Sequence, residues 1–283
     1  MGHTQLLTAS LISISAILRR STTDTSLGMV CWQVLCNPSN LPLTCGMLDF
    51  FTRQFREDVR PVASPEDDNV IANACESKVF NVARNAKLRD KFWIKGQPYS
   101  IRDMLAHDEL AESFAGGTVY QAFLSALSYH RWHAPVSGTI KKAFVQDGTY
   151  FSEPLFEGLG DPNNVSIDAG GIAVGQGYLT ALATRAVIFI EADNPAIGLM
   201  AFIGVGMDEV STCEITVKEG QHIKKGEQTG MFHFGGSSHC LIFRKGVKVD
   251  GFPQPGRQEN VPVRGKVAEV VSSNGVSNGH SST

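Results

Sequence analysis

The sequence predicts an α+β fold whose core is an antiparallel β-sandwich or barrel-like structure with a small helical insert. Two observations favour this class. Short β-rich runs separated by glycine-containing turns follow one another from residue 138 onward, and apolar residues at helical spacing occupy residues 100–128. With 283 residues, of which 42% are hydrophobic and 19% charged, the chain is long enough to bury one sizeable core. A net charge of −3 leaves no basic footprint for nucleic acid, so we expect no nucleic-acid partner.

The predicted elements follow in a simple order. Gly116 and Gly117 interrupt the helical spacing, which predicts two helices with the second at residues 120–127. Residues 217–227 are predicted as a strand, a turn and a strand, with Gly220 and Gly226 at the turns. The remaining strands are predicted at residues 139–145, 186–191, 201–205, 214–217, 230–234 and 239–243.

The two ends of the chain differ from its middle. Residues 1–48 are left unassigned, residues 49–257 are predicted to form one domain, and residues 258–283 are expected to be a disordered tail because the stretch from residue 270 onward is rich in Ser, Asn and Gly. The apolar run at residues 6–18 is shorter than the roughly 20 residues that a spanning helix needs, and it lacks the basic start of a secretory signal. A membrane anchor or targeting peptide at this run stays open as an alternative.

The cysteines indicate neither a metal site nor a disulfide scaffold. The six of them contain no Cys-x-x-Cys pair, and three fall within the first 45 residues. A reducing compartment is therefore the default, and we expect a cytoplasmic protein without a metal.

The stretch Phe232-His-Phe-Gly-Gly-Ser-Ser-His-Cys-Leu-Ile-Phe243 is the most informative part of the chain. Ser237 directly follows Gly236, and a serine can attack the preceding carbonyl with little hindrance because glycine tolerates the strained backbone that this attack requires. Taken alone, residues 235–238 are more typical of a β-hairpin turn. The local sequence thus leaves both self-cleavage and an ordinary hairpin open.

Two further motifs accompany this stretch: Tyr129-His-Arg-Trp-His-Ala-Pro-Val-Ser-Gly138 and Phe92-Trp-Ile-Lys-Gly-Gln-Pro-Tyr-Ser100. Together with residues 217–238, they resemble the phosphatidylserine decarboxylase family of pyruvoyl enzymes, in the right order and over about residues 50–251. The resemblance implies that residues 49–257 are a catalytic domain that cuts itself between Gly236 and Ser237.

The resemblance also implies roles for individual residues. Ser237 is the expected nucleophile, and it needs a base because a free hydroxyl is hardly ionised at neutral pH. His133 matches the second histidine of the family's Tyr-His-Arg-x-His motif and is the expected base, while His130 is expected to orient substrate or simply to pack. Glu76, in Asn73-Ala-Cys-Glu-Ser77, falls where the family has an aspartate that would fix the histidine.

The replacement of aspartate by glutamate leaves alternatives open. Glu76 is one methylene longer than the family's aspartate. The alternative is that Glu76 is a solvated surface charge and that a backbone carbonyl holds His133 instead. Asp67, Asp68 and Asp147 are the other candidate carboxylates.

Self-processing would convert Ser237 into a pyruvoyl group at the start of fragment 237–283, with fragment 1–236 as its partner. In enzymes of this family the pyruvoyl carbonyl forms a Schiff base with a substrate amine and accepts the electrons released when CO2 leaves, so no external cofactor is expected. The implied partners are a small-molecule amine and the two fragments themselves.

The substrate is less firmly indicated. Phe123-Leu-Ser-Ala-Leu-Ser-Tyr129 has apolar or small residues where the lipid enzymes carry charges, and with residues 74–77 this is similar to the soluble fungal branch that includes L-tryptophan decarboxylase. We expect a free aromatic L-amino acid as substrate, with phosphatidylserine, and hence membrane association, as the alternative. A processing-dead homologue that acts as a binding or scaffold protein is a third reading, since the change to Glu76 and the short amino-terminal region could abolish self-cleavage.

Overall fold

A seven-stranded antiparallel sheet forms the centre of the molecule, with strand order β2-β3-β11-β7-β6-β5-β9. The computed structural model describes residues 52–56, 58–89, 99–125, 128–149, 176–206, 212–233, 237–257 and 259–271. Its strands are β1 Val70–Ala72, β2 Lys78–Ala86, β3 Gly117–Leu124, β4 Arg131–His133, β5 Gly138–Gln146, β6 Arg185–Ala192, β7 Leu199–Gly206, β8 Thr212–Ile215, β9 His222–Ile223, β10 Gln228–His233, β11 Ser237–Phe243, β12 Val249–Asp250 and β13 Lys266–Val270.

Two small antiparallel sheets and a helical layer cover the central sheet. Helix α1 Ile101–Met104 and the 3₁₀ helix Glu109–Phe114 pack on one face, where they share a buried apolar cluster with the outward side chains of β11 and β7. The sheets β1-β13-β12 and β4-β10-β8 pack on the other face. Helix α2 Gln176–Leu182 precedes β6. The predicted α+β class with an antiparallel β core and few helices is confirmed.

The strands of the central sheet are apolar on both faces because both are covered. Along β11, Cys240 and Ile242 belong to the helical side, whereas Leu241 and Phe243 belong to the side of the small sheets. This alternation follows from the two-residue period of a strand. It also places Ser237 and His239 on the side of the small sheets, which we call the inner face.

The second predicted helix is wrong. The residues that showed helical spacing after Gly117 form β3, which is hydrogen-bonded to β2 on one side and to β11 on the other. A short apolar run fits either period, and here the pairing on both sides decides in favour of the strand. Gly117 fits this position because a Cβ atom would lie 2.0 Å from the carbonyl oxygen of Phe243.

The hairpin interpretation of residues 235–238 is also wrong. β10 pairs with β4 and β8, whereas β11 pairs with β3 and β7. The chain therefore leaves one sheet after His233 and enters another at Ser237. Residues 234–236, including Gly236, lie outside the described residues.

The predicted start of the tail at residue 258 falls too early. Val261 and Val263 are buried, and β13 pairs with both β1 and β12. Val267, Ala268 and Val270 of β13 are buried as well, so residues 261–270 belong to the domain. Residues 272–283, residues 1–51 and the apolar run at residues 6–18 lie outside the described residues. Within the described ranges, every helix is too short or too polar to cross a bilayer.

The six separate strands predicted between residues 139 and 243 are confirmed to within a few residues, whereas residues 217–227 form one short strand between two turns rather than a strand, a turn and a strand. In the segment that was predicted as strand, turn and strand, Gly220 and Gly226 have φ values of +79° and +82°, which glycine adopts without strain. The short strand β9 between them pairs with β5. Lys225, next to Gly226, is buried, and its ammonium group donates to the carbonyl oxygens of residues 64, 67 and 70.

Replacing Lys225 by methionine should destabilise the domain. Three buried or half-buried carbonyl groups lose their donor, which costs about 2 kcal/mol or more in the free energy of unfolding. Urea unfolding should show this loss for Lys225→Met and a change within about 0.5 kcal/mol for the exposed neighbour in Lys224→Met. Equal effects of the two substitutions would contradict the role assigned to the ammonium group.

Candidate active site

Ser237 begins β11 at a position that is closed to solvent. Its neighbours in the sheet are Leu124 of β3 and Gly206 of β7, and its exposed fraction is 0%. Within the described part of the chain, the Ser237 hydroxyl makes no hydrogen bond. A buried polar group without a partner costs about 1–3 kcal/mol, so its presence calls for a functional explanation.

His133 is buried and strongly hydrogen-bonded. Its Nδ1 lies 2.9 Å from the Gly226 carbonyl oxygen and 3.2 Å from Nε of Arg264, and its Nε2 lies 3.2 Å from the Tyr129 hydroxyl. The shorter contact favours a ring that donates its Nδ1 proton to Gly226 and accepts the Tyr129 hydroxyl proton at Nε2. A backbone carbonyl, that of Gly226, thus holds His133. This was the predicted alternative to a carboxylate.

Burial and positive charge both act on the His133 ring. Desolvation and, after it, the positive charge of Arg264 lower the pKa of His133 from 6.5 to about 3, against the opposing effect of the Gly226 carbonyl. The ring is therefore neutral at pH 7, as a general base must be. No hydrogen bond joins His133 to Ser237.

Glu76 is neither exposed nor in contact with His133. Its carboxylate accepts two hydrogen bonds from the Arg60 guanidinium, at 3.0 Å and 2.9 Å, and one at 2.9 Å from the backbone N–H of Val263. The solvated-charge interpretation therefore does not hold. Glu76 reaches His133 indirectly, because it fixes the backbone next to Arg264.

Arg264 adopts an unusual backbone conformation at this point. Its φ is +65°, in the left-handed region that non-glycine residues rarely occupy. Its N–H donates to the carbonyl of Asn73, and its own carbonyl accepts from the N–H of Ala63. These two bonds, together with the bond from Val263 to Glu76, hold the turn that brings Arg264 to His133.

The two motif histidines differ in their position relative to β4. Trp132 in β4 packs against Phe202 of β7, so it points to the inner face of the central sheet. Since side chains alternate along β4, His133 points to the other side, whereas His130 directly precedes the strand. His130 is wholly buried, and its carbonyl accepts from Phe232 close to the end of β10 that leads to Ser237.

A third histidine was missed by the sequence interpretation. His239 lies two residues after Ser237 on the same strand and the same face, and it is completely buried. Neither of its ring nitrogens makes a hydrogen bond within the described part of the chain, and desolvation lowers its pKa to about 3. The two-residue spacing in Ser237-Ser-His239 was the available signal, once this stretch was taken as a strand rather than a turn.

The other carboxylates predicted as alternatives lie at the surface. Asp67, Asp68 and Asp147 are exposed. Asp67 accepts hydrogen bonds from the backbone and side chain of Asn69. In the described part of the chain, no cluster of three or more His, Cys, Asp or Glu side chains is arranged to hold a metal ion.

Comparison with known proteins identifies the family of the chain. A family model described as phosphatidylserine decarboxylase matches residues 47–270, which include all the helices and strands described above. Among curated proteins, decarboxylase iboD of Amanita muscaria is 50% identical over 198 residues, which make up 69% of this chain and 57% of that protein. L-tryptophan decarboxylase of Psilocybe cyanescens is 43% identical over 215 residues, or 74% of this chain and 49% of that protein.

A bacterial relative supports the same assignment. The phosphatidylserine decarboxylase proenzyme of Clostridium perfringens is 30% identical over 218 residues, which are 76% of this chain and 67% of that protein. These matching proteins form a class, since all of them are named as decarboxylases or decarboxylase proenzymes. The chain belongs to the phosphatidylserine decarboxylase family. It spans about half the length of the fungal relatives that it matches.

The two neutral histidines should make stability depend on pH. An unfolded histidine takes up a proton near pH 6.5, whereas His133 and His239 hold pKa values of about 3 in the fold, so the unfolded state binds more protons below pH 6.5. The free energy of unfolding should therefore fall as pH falls, by about 2 kcal/mol per histidine between pH 7 and pH 5.

Urea unfolding of an uncleaved Ser237→Ala background at both pH values measures this loss. Adding His239→Gln should reduce the loss by about 2 kcal/mol. Adding His222→Gln at an exposed position should serve as the matched control. A loss that His239→Gln leaves unchanged would show that His239 is protonated in the fold.

Proposed function

We propose that this protein is a self-processing, pyruvoyl-dependent decarboxylase in which the bond between Gly236 and Ser237 is cut and Ser237 supplies the pyruvoyl group. The observation that carries the proposal is the buried Ser237 hydroxyl, which has no hydrogen-bond partner within the described residues and directly follows a Gly-Gly pair. The Ser237 hydroxyl suits this reaction because it is free to react and water is excluded from its surroundings.

In the processing reaction, Ser237 Oγ attacks the carbonyl carbon of Gly236. A C–O bond forms, the C–N bond breaks, and the hydroxyl proton passes through a base to the amide nitrogen, which leaves an ester and a free amine. Loss of the Ser237 α-proton expels the Gly236 carboxylate. Water then hydrolyses the resulting dehydroalanine and releases ammonia, so that the new chain begins with a pyruvoyl group.

His133 and Glu76 remain the predicted base and its supporting carboxylate. His133 is neutral, as a base must be, but both of its ring nitrogens are engaged. Its action on Ser237 would require it to give up its contact with Tyr129. Glu76 would support His133 through Val263 and Arg264, since its carboxylate holds their turn.

The group derived from Ser237 would supply a carbonyl that binds the substrate amine and accepts the electrons released as CO2 leaves, without an added cofactor. The protein's part is to hold the two fragments together. β11, β12 and β13 fall in fragment 237–283, and each pairs with strands of fragment 1–236 or with one that does. Seven residues of β11 are bonded on both sides, so the fragments should stay associated after the cut.

A free aromatic L-amino acid is the proposed substrate. The relatives named L-tryptophan decarboxylase are 43% identical to this chain, against 26–30% for those named phosphatidylserine decarboxylase. The inner face holds aromatic rings around His239, two residues from Ser237, and such rings are suited to pack on a flat side chain. Tyr120 and Phe202 flank His239, and Trp132 packs against Phe202 and Phe232. A free amino acid needs no membrane surface, and we propose a cytoplasmic enzyme on this ground.

Intact-mass spectrometry of the purified protein tests the processing reaction. We expect two chains, residues 1–236 and 237–283, with the smaller one carrying a pyruvoyl group that borohydride reduces. Ser237→Ala should stay in one piece because it has no nucleophile, and Ser238→Ala, whose hydroxyl already accepts from Gln121, should be cut as the wild type is. A wild-type chain that stays whole would overturn the proposal and favour the binding or scaffold alternative.

The substrate is tested by CO2 release from the processed protein. We expect turnover of L-tryptophan to exceed that of phosphatidylserine in vesicles by about tenfold or more, and Ser237→Ala to abolish both activities. Faster release from the vesicles, with the protein floating with them in a density gradient, would instead identify the lipid enzyme and a membrane-associated protein.

A further inference from the structure

His239 occupies a place beside Ser237 that the family resemblance does not assign. The two residues are neighbours on the inner face of β11, and their Cα atoms are about 7 Å apart by the geometry of a strand. Next to His239 in the sheet lie Ala122 and Gly204, and next to Ser237 lie Leu124 and Gly206. The rings of Trp132 and Phe232 lie against Gly204, so the imidazole is packed on that side and the strand sets its distance from the Ser237 hydroxyl.

The surroundings of His239 leave its polar atoms unsatisfied. Its ring lies 5.8 Å from the ring of Tyr120, edge to face, and 6.1 Å from the ring of Phe202, nearly parallel. Both nitrogens are buried without a hydrogen-bond partner within the described residues, as is the hydroxyl of Ser237. Two such groups side by side are costly for a core, and an apolar residue would fill the space at no such cost.

The other motif histidines are placed differently. His133 points away from the inner face, and Gly226 and Tyr129 engage its ring nitrogens. His130 lies in another part of the chain, directly before β4. His239, in contrast, lies on the same strand as Ser237, and this strand fixes its position relative to Ser237.

We propose that His239, in place of the predicted base His133, is a catalytic residue of self-processing: its imidazole accepts the proton of the Ser237 hydroxyl and returns it to the amide nitrogen of Ser237. This inference rests on the proposed function. As Oγ bonds to the carbonyl carbon of Gly236, the hydroxyl proton moves to a ring nitrogen of His239. As the C–N bond breaks, the same proton moves to the departing nitrogen, so the imidazole ends neutral.

Burial has two opposite effects on this transfer. Desolvation lowers the pKa of His239 to about 3, so that the ring is neutral and its lone pair is free at pH 7. The same desolvation weakens the imidazole as a proton acceptor, and it makes the imidazolium short-lived, so the proton passes on to the amide nitrogen rather than staying on the ring.

The rate of chain cleavage in protein made by cell-free synthesis tests the proposal. A positioned base contributes typically 10²–10⁴-fold, so His239→Gln should slow the appearance of fragment 237–283 by about 10²-fold or more. His222→Gln, at an exposed ion pair with Asp193, is the matched control and should be cut at the wild-type rate. Circular dichroism and thermal unfolding establish that each variant is folded.

Chemical rescue separates a catalytic from a structural role. His239→Ala should leave a cavity at the base position, and added imidazole should restore cleavage of the purified intact chain, which N-methylpyrrole, of similar shape but without a basic nitrogen, should not do. A His239→Gln chain that is cut at the wild-type rate would overturn the proposal. A folded His239→Ala chain that stays intact when imidazole is added would also overturn it. If the His239→Ala chain does not fold, normal cleavage of the folded His239→Gln chain would overturn it.

Failure of the role proposed for His239 can be distinguished from failure of the proposed function. If the wild-type chain is never cut, self-processing itself is wrong. If the wild type is cut at Gly236 and Ser237 while His239→Gln is cut equally fast, self-processing stands and only the role of His239 falls.

Discussion

The pairing of β11 on both sides within the central sheet is the constraint on which the candidate site depends. All seven of its residues are matched to partners in β3 and in β7, so Ser237 has a fixed position even though it is the first residue of the strand. The preceding strand β10 is fixed in a different sheet, by β4 and β8. The chain therefore leaves one layer after His233 and enters another at Ser237, and the sheets hold both of these positions.

The second consequence of the layered fold is that His133 and His239 are shielded from water. Closing the inner face with the sheet β4-β10-β8 removes water from His239, and the packing around Gly226 and Arg264 does the same for His133. Keeping two histidines neutral and a serine unbonded lowers stability, since each group would be better solvated in the unfolded chain. A fold retains such groups where function needs them, which is why stability and activity often oppose each other.

The sequence predicted the parts of this arrangement that depend on local pattern. The strands at β5, β6, β7 and β11 follow from β-rich runs bounded by glycine, and the positive φ of Gly220 and Gly226 follows from their place in turns. The second helix failed because a short apolar run fits a buried strand as well as a helix, and only the partners of β3 distinguish the two.

The contacts around the site could not be predicted because they join distant parts of the chain. The bond between Arg60 and Glu76 and the left-handed turn at Arg264 both depend on how residues near 60, 76 and 264 meet in space. Nothing local in the sequence marks Arg264 as the cation beside His133. His239 is the opposite case: its relation to Ser237 is local, but it becomes visible only when residues 237–243 are treated as one strand, in which every second side chain faces the same way.

A cut between Gly236 and Ser237 would change this structure in a limited way. The hydrogen bonds of β11 run to β3 and β7, and those of β10 run to β4 and β8, so β10 and β11 are not paired with each other. Loss of this one covalent link would therefore leave the hydrogen bonds of both sheets in place. A carbonyl formed at residue 237 would remain at the first position of β11 on the inner face, two residues from His239. The crossing between two sheets would thus allow the chain to be cut while the site stays in place.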